Sequence, residues 1–272
     1  MAAALQNGIN YVESGSGPTV VLLHGFPEFW FSWRRQIPVL NAAGFRTIAV
    51  DLPGYNESAK PEEVEAYRLP NVVQQIAALI EHLGAPVTLI GHDWGGLAAW
   101  FLAMTRPELL TKLVILNVPH PAAFSRELRK STRQKIRMLY QILFWPPKVA
   151  ELVLPAILPM ILRRMGRFTS EEIREYRTAW KKPGVMSGMA NYYRALRKNR
   201  GDLRRLVVKI DIPTLLIWGE RDPVFTRASS ENFDEWVPNL RIARIPHAGH
   251  FVQTDAPEMV NELLVDFLGP ST

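Results

Sequence analysis

Apolar residues fall in short unbroken runs along the first part of this chain and again near its end. "INYVES", "TVVLLHG", "RTIAVDLPG", "VTLIG" and "KLVILNVP" follow one another before residue 120, and "IPTLLIWGE" and "LRIARIP" come after residue 211. Runs without polar alternation predict strands buried on both faces, as in a parallel sheet. Between them the period becomes helical, at Val72 to Leu83, directly after "VTLIG", and at Ala256 to Leu268. Strands alternating with helices predict an α/β fold, a mostly parallel sheet covered by helices on both faces. From Pro121 to Arg205 the rhythm stops. The pattern there is helical throughout, with Arg/Lys on polar faces and prolines at the expected breaks. The reading is an α/β core made of residues 1–120 and 206–272, with a helical cap, 121–205, inserted into it.

Charge sharpens that division. The net charge is +6, but residues 125–205 hold 20 Lys/Arg against 6 Asp/Glu, while the remainder holds 12 against 20. A basic cap fits solvated helix faces, and it also fits a peripheral contact with an anionic membrane. No nucleic-acid motif accompanies the charge, so no nucleic-acid partner is expected. The longest oily region, Val149 to Ile161, is interrupted by Glu151, Pro155 and Pro159 and is too short and broken to span a bilayer. The opening "MAAALQNGINYVESGSGP" has neither a basic start nor a long apolar stretch, which predicts no signal peptide and a cytoplasmic protein. There is no cysteine, which excludes disulfides, thiolate zinc sites and cysteine catalysis. His and carboxylate residues lack metal-ligand spacing, so neither metal nor cofactor is expected.

In an open α/β sheet, function gathers beyond the C-terminal ends of the strands. Those ends place His24 to Pro27, Asp51, Asp93, Asn117 to Pro119, Asp222 and His250 under scrutiny. Gly91, Asp93 and Gly95 form G-x-D-x-G between a strand and a helix. A turn that tight strains its central residue and needs small neighbours. It also aims the side chain at a helix N-terminus, where backbone N–H groups stabilise negative charge. An N-cap aspartate would give the same five residues. A nucleophilic aspartate needs in addition a base and an acid to orient the base. Asp222 in "LLIWGERDPVF" and His250 in "IPHAGHF" supply them, and the N–H groups of Phe26 and Trp94 could form an oxyanion hole. His247 is a rival base, Glu28 and Glu220 are rival acids, His24, His92 and Asp51 read as braces, and His82 as surface.

This arrangement resembles the nucleophile elbow of α/β-hydrolases, with aspartate in the serine position and the same order of nucleophile, acid and histidine. A carboxylate acylates poorly but displaces a leaving group from saturated carbon, leaving an alkyl ester for activated water to cleave. The leaving group can be halide or the oxygen of a strained epoxide.

The motifs HGFPE, GHDWGG, NVPHP and "NYYRALRKN" together resemble α/β-hydrolase-fold epoxide hydrolases of the soluble type, over nearly the whole chain. That resemblance implies conversion of lipophilic epoxides to vicinal diols, without a cofactor. It implies two proton-donating cap tyrosines, Tyr140 and Tyr193, with Tyr192 the neighbouring alternative to Tyr193. It also implies a pocket lined by Phe26, Trp30, Trp94, Tyr140, Tyr193 and apolar cap residues. Asn56 stands where family members often carry glycine. Haloalkane dehalogenases share the Asp-Trp pair, but many carry asparagine where this chain has Phe26. Fluoroacetate dehalogenases hold halide with a cap histidine, and Pro121 to Arg205 contains none. A haloalkane or haloacid dehalogenase and a non-catalytic binding protein on the same scaffold are the alternatives. The sequence does not specify monomer or homodimer.

Overall fold

A computed structural model describes residues 1–199 and 208–269. Eight strands form one sheet: β1 (Ala2–Gln6), β2 (Ile9–Ser14), β3 (Thr19–Leu23), β4 (Arg46–Val50), β5 (Val87–His92), β6 (Leu110–Leu116), β7 (Thr214–Gly219) and β8 (Leu240–Ile245). Their order is β1-β2-β4-β3-β5-β6-β7-β8. The first two strands pair antiparallel with their neighbours, and the rest run parallel.

Alternate residues of the central strands feed two cores. Val21, Leu23, Leu89 and Ile115 pack on one face against α2 (Leu69–His82) and α3 (Asp93–Thr105). Val20, Leu22, Ile90 and Val114 pack on the other, against α1 (Ile37–Ala42) and the closing helix Pro257–Leu268. Every residue of β5 is buried, and each such Leu or Ile contributes about 1.5–3 kcal/mol by leaving water. The parallel register pairs Leu23 with Gly91, Gly91 with Ile115 and Leu116 with Ile217. The C-terminal ends of β3, β5, β6 and β7 are thereby brought to one edge of the sheet.

Between β6 and β7 lie α4 (Pro121–Lys130), α5 (Thr132–Arg137), a 3-10 stretch at Leu139–Phe144, α6 (Val149–Met165), α7 (Ser170–Trp180) and α8 (Val185–Lys198). The end of the 121–205 segment, at Arg205, and the restart of the core at 206 lie outside the described residues.

Two local expectations need correction. The sequence reading has no strand before Ile9, yet β1 pairs with β2 through a two-residue turn, Asn7-Gly8, both at positive φ. Asn-Gly is the strongest short hairpin signal, but "AAALQ" lacks the alternation that marks a strand. Prolines 155 and 159 were expected to break their helix, and α6 runs through both. Leu154, Leu158 and Leu162 are buried along it. At about 1.5–3 kcal/mol each they offset two interior prolines that cost about 3 kcal/mol each. No helix among the described residues is long and apolar enough to cross a membrane.

Candidate active site

The site is built around the turn from β5 to α3. Asp93 adopts φ +47° there, the left-handed region that a non-glycine residue enters only under constraint. Glycines on either side make the constraint feasible. A Cβ on Gly91 would lie 2.6 Å from the Gly95 carbonyl oxygen, and one on Gly95 would lie 2.4 Å from that of Leu23. Gly25, in the loop after β3, faces Asp93 directly: a Cβ there would sit 2.3 Å from the Asp93 Cβ. Strand, loop and helix meet without room for a methyl group.

The two oxygens of Asp93 have different neighbours. Oδ1 accepts the Phe26 N–H at 2.8 Å, and Oδ2 lies 3.5 Å from His250 Nε2. His250 Nδ1 faces Asp222 Oδ2 at 2.9 Å. Asp222 is fixed in turn: its Oδ1 accepts the N–H groups of Val224 and Phe225 at 2.6 and 3.0 Å, and its Oδ2 accepts Asn117 Nδ2 at 2.7 Å. Burial pushes the Asp93 carboxyl up. The hydrogen bond and charge of His250, His92 and the Phe26 N–H outweigh burial and hold it below the usual range, so the carboxylate is ionised. Burial disfavours a charged His250, but Asp222 and Asp93 together raise its pKa to about 10. At neutral pH the resting ring is an imidazolium between two carboxylates.

Behind this trio lies a second buried set. His92 bridges Glu28 Oε2, at 2.8 Å, and the main-chain carbonyl of His250, at 2.9 Å. Ser32 and Gln253 donate to the other oxygen of Glu28. Glu28 therefore meets His92 and not the ring of His250. Glu220 pairs with Arg244 and Arg227, and His247 and His82 are exposed. His24 accepts the Leu52 N–H, and Asp51 accepts from Asn10, Asn56 and the Trp30 N–H; these groups tie the loops after β3 and β4 together. His120, stacked between Phe233 and Trp236, is pushed down to about 4 by burial and is neutral.

Cap and sheet enclose a cavity with two arms that meet at Asp93, Tyr140 and Tyr193. One arm, about 220 Å³, runs past His250, Phe26, Ile161 and Met165. The other begins as a throat of about 70 Å³ beside Trp94, Leu97, Met138 and Leu196. That throat shares Phe124, Met138, Gln141, Tyr193 and Leu196 with an outer groove of about 370 Å³. Both tyrosine phenols are raised above their ordinary range, by burial first and by the Asp93 charge in addition, so both keep their protons. Tyr193 stacks on Phe144 with centroids 3.9 Å apart and meets Trp94 and Phe26 edge-on. Tyr192 points elsewhere: its hydroxyl donates to the Pro53 carbonyl at 3.0 Å, among Tyr55 and Tyr67. Trp30 is not brought to the cavity. Its N–H is committed to Asp51, its ring packs edge-on to Phe29 and Phe31, and it lines neither arm.

Three further residues join the site without having been assigned a role from sequence. Asn117, itself at φ +46°, donates to Asp222 and accepts the Gly219 N–H at 2.7 Å. Gln134 and Arg137 reach down from α5 to the loop that carries Asp222. Gln134 donates to the Val224 carbonyl and accepts the Thr226 N–H; Arg137 donates to the carbonyls of Asp222 and Phe225. Among the described residues no group of His, Asp or Glu is arranged to hold a metal ion.

The alpha/beta hydrolase fold family matches residues 18–257. An AB hydrolase superfamily protein, YfhM, of Bacillus subtilis is 38% identical over 93% of this chain and 90% of its own length. Epoxide hydrolase 4 of Mus musculus is 34% identical over 97% of this chain and 77% of its own. A crystal structure of the Bacillus megaterium epoxide hydrolase in complex with an inhibitor superposes with a TM-score of 0.87 at 34% identity, covering 98% of this chain and 99% of that one.

Proposed function

Because the chain belongs to the α/β-hydrolase fold family, and within it to the epoxide hydrolases, we propose that it converts epoxides to vicinal diols through a covalent ester on Asp93. The observation that carries this reading is an ionised carboxylate in the elbow facing two protonated phenols across one cavity. Tyr140 and Tyr193 hydrogen-bond the epoxide oxygen. Asp93 attacks a ring carbon from the opposite side; the carbon–oxygen bond of the ring breaks, and a phenol gives its proton to the departing alkoxide.

Esterification removes the negative charge of Asp93, one of the two that hold the proton on His250. The proton affinity of His250 falls, and its proton is released to the tyrosinate. The neutral ring, oriented by Asp222, then takes a proton from water. The resulting hydroxide attacks the ester carbonyl. The Phe26 N–H, already on Asp93 Oδ1, and the Trp94 N–H stabilise the oxyanion until the diol leaves. Collapse breaks the ester bond, the departing oxygen takes the proton of the hydroxyl just added, and the carboxylate is restored beside the imidazolium. A lipophilic substrate suits cavity walls made of Phe26, Trp94, Leu97, Met138, Ile161 and Met165. A cytoplasmic setting belongs to the same reading and suits a chain without cysteine.

A single turnover in heavy-oxygen water, with enzyme in excess, tests the ester. The first diol should carry ordinary oxygen taken from the protein, with the label entering the Asp93 carboxylate. Label found wholly in the diol defeats the covalent route, and halide release from a haloalkane in place of diol formation assigns the site to dehalogenation.

A further inference from the structure

The chemistry just described leaves the outside of the cap unused. Helix α6 buries Ala150, Leu154, Leu158 and Leu162, and its opposite face carries Leu152, Pro155, Ala156 and Met160. A surface helix normally places polar residues there. Leu152 is 78% exposed and Met160 52%. The 3-10 stretch beside α6 adds Leu139, 56% exposed, and Ile142. Those two residues also line the outer groove that leads inward to Tyr193. The 3-10 stretch that packs against α6 therefore opens onto one arm of the cavity.

Cations surround the strip. Residues 128–169 hold nine Lys/Arg and one acid, Glu151, which is bound to Arg194 at 2.8 Å. Lys148 precedes α6, Arg163 and Arg164 close it, and α5, which packs against the 3-10 stretch, carries Arg133 and Lys135. None of these five pairs with a carboxylate among the described residues. An apolar helix face bordered by unpaired cations matches the composition of helices that lie in the interface of a bilayer. A second copy packed strip to strip would instead bring the cations bordering one strip against those bordering the other, and like charges at that range repel.

We propose that this face of the cap binds anionic lipid bilayers, with Leu152 and Met160 in the acyl boundary and the outer groove turned toward the membrane. With no helix able to cross a bilayer among the described residues, the contact is peripheral. That lipophilic epoxides reach the groove from the bilayer rests on the function proposed above; lipid binding itself does not.

Co-sedimentation with phosphatidylcholine vesicles, with and without phosphatidylglycerol, tests it on the full chain. Wild type should pellet with the anionic vesicles at low salt and be released at high salt. Arg163→Gln with Arg164→Gln should weaken binding roughly fivefold for each cation removed. Leu152→Glu with Met160→Glu should reduce it by a further order of magnitude or more. Both pairs should melt like wild type, because the replaced side chains are exposed. No pelleting, equal pelleting with neutral vesicles, or a dimer in sedimentation velocity that Leu152→Glu dissolves would overturn the proposal. None of these readouts needs turnover, so failure of the epoxide reading and failure of lipid binding are separate results.

Discussion

The two walls of the cavity are held by different forces. On the sheet side, Asp93, His250, Asp222, Asn117, His92 and Glu28 are joined by directional hydrogen bonds, and Asp222 alone accepts four. On the cap side, Tyr193 is held by stacked and edge-on rings, and Tyr140 meets Tyr193 and Phe144 edge-on. The nucleophile, the base and the acid that orients the base are fixed at defined angles, because the strength of a hydrogen bond depends on angle. The proton-donating phenols, which also shape the space, are held by contacts that tolerate sliding. The sheet side therefore sets which bond is made, and the cap sets what can approach it. Hydrogen bonds also join the two walls, from Gln134 and Arg137 at the loop of Asp222, from Tyr192 and Trp180 at the carbonyls of Pro53 and Pro27, and from Arg34 and Arg35 at Glu172.

The largest effect should come from the sheet side. His250→Gln should let Asp93 attack and block release, lowering steady-state turnover by about 10⁴-fold, the upper end for acid–base catalysis. Mass spectrometry should find substrate attached to the Asp93 peptide. An unmodified peptide, after incubation with an epoxide that wild type consumes, breaks the assignment of base and nucleophile. The cap side should respond less. Tyr140→Phe and Tyr193→Phe should each slow ring opening by roughly 10²–10³-fold while leaving the decay of a preformed ester near wild type. Single-turnover kinetics separate the two steps, and unchanged ring opening in both variants removes the tyrosines from the mechanism. The smallest effect lies at the seam. Gln134→Ala leaves the Val224 carbonyl and the Thr226 N–H without their partner, which should cost about 1–3 kcal/mol of stability in thermal melts. A variant as stable as wild type would show that the bonds of Gln134 do not help to keep the walls together.

Legibility in the sequence followed the same division. G-x-D-x-G, the strand-end aspartate and the late Gly-His are local features at strand ends, and the resemblance to α/β-hydrolases, which favours His250 over His247, brings Asp93, Asp222 and His250 forward as a set. The parallel sheet was readable because every residue of a run such as Val87–His92 is buried. Helical periodicity does not separate Tyr192 from Tyr193; only the resemblance favours Tyr193. They are adjacent on one helix, and only the packing of α8 on Pro53, Tyr55 and Tyr67 turns Tyr192 away. Trp30 was misplaced for a related reason: its neighbourhood in sequence is the oxyanion loop, but a 3-10 turn at Trp30–Trp33 carries its ring into the Phe29–Phe31 cluster. Asn117 pairs with a residue 105 positions away, and Gln134 with one 90 away, and no spacing rule reaches that far.

The contact between Gly25 and Asp93 has a consequence for descent. A single methyl group at position 25 would collide with the nucleophile while changing none of the reactive residues. In any lineage that shares this scaffold, the loop and the elbow must then change together or not at all. A relative that retains the aspartate but bears a side chain at this glycine would mark a lost enzyme, recognisable from one codon.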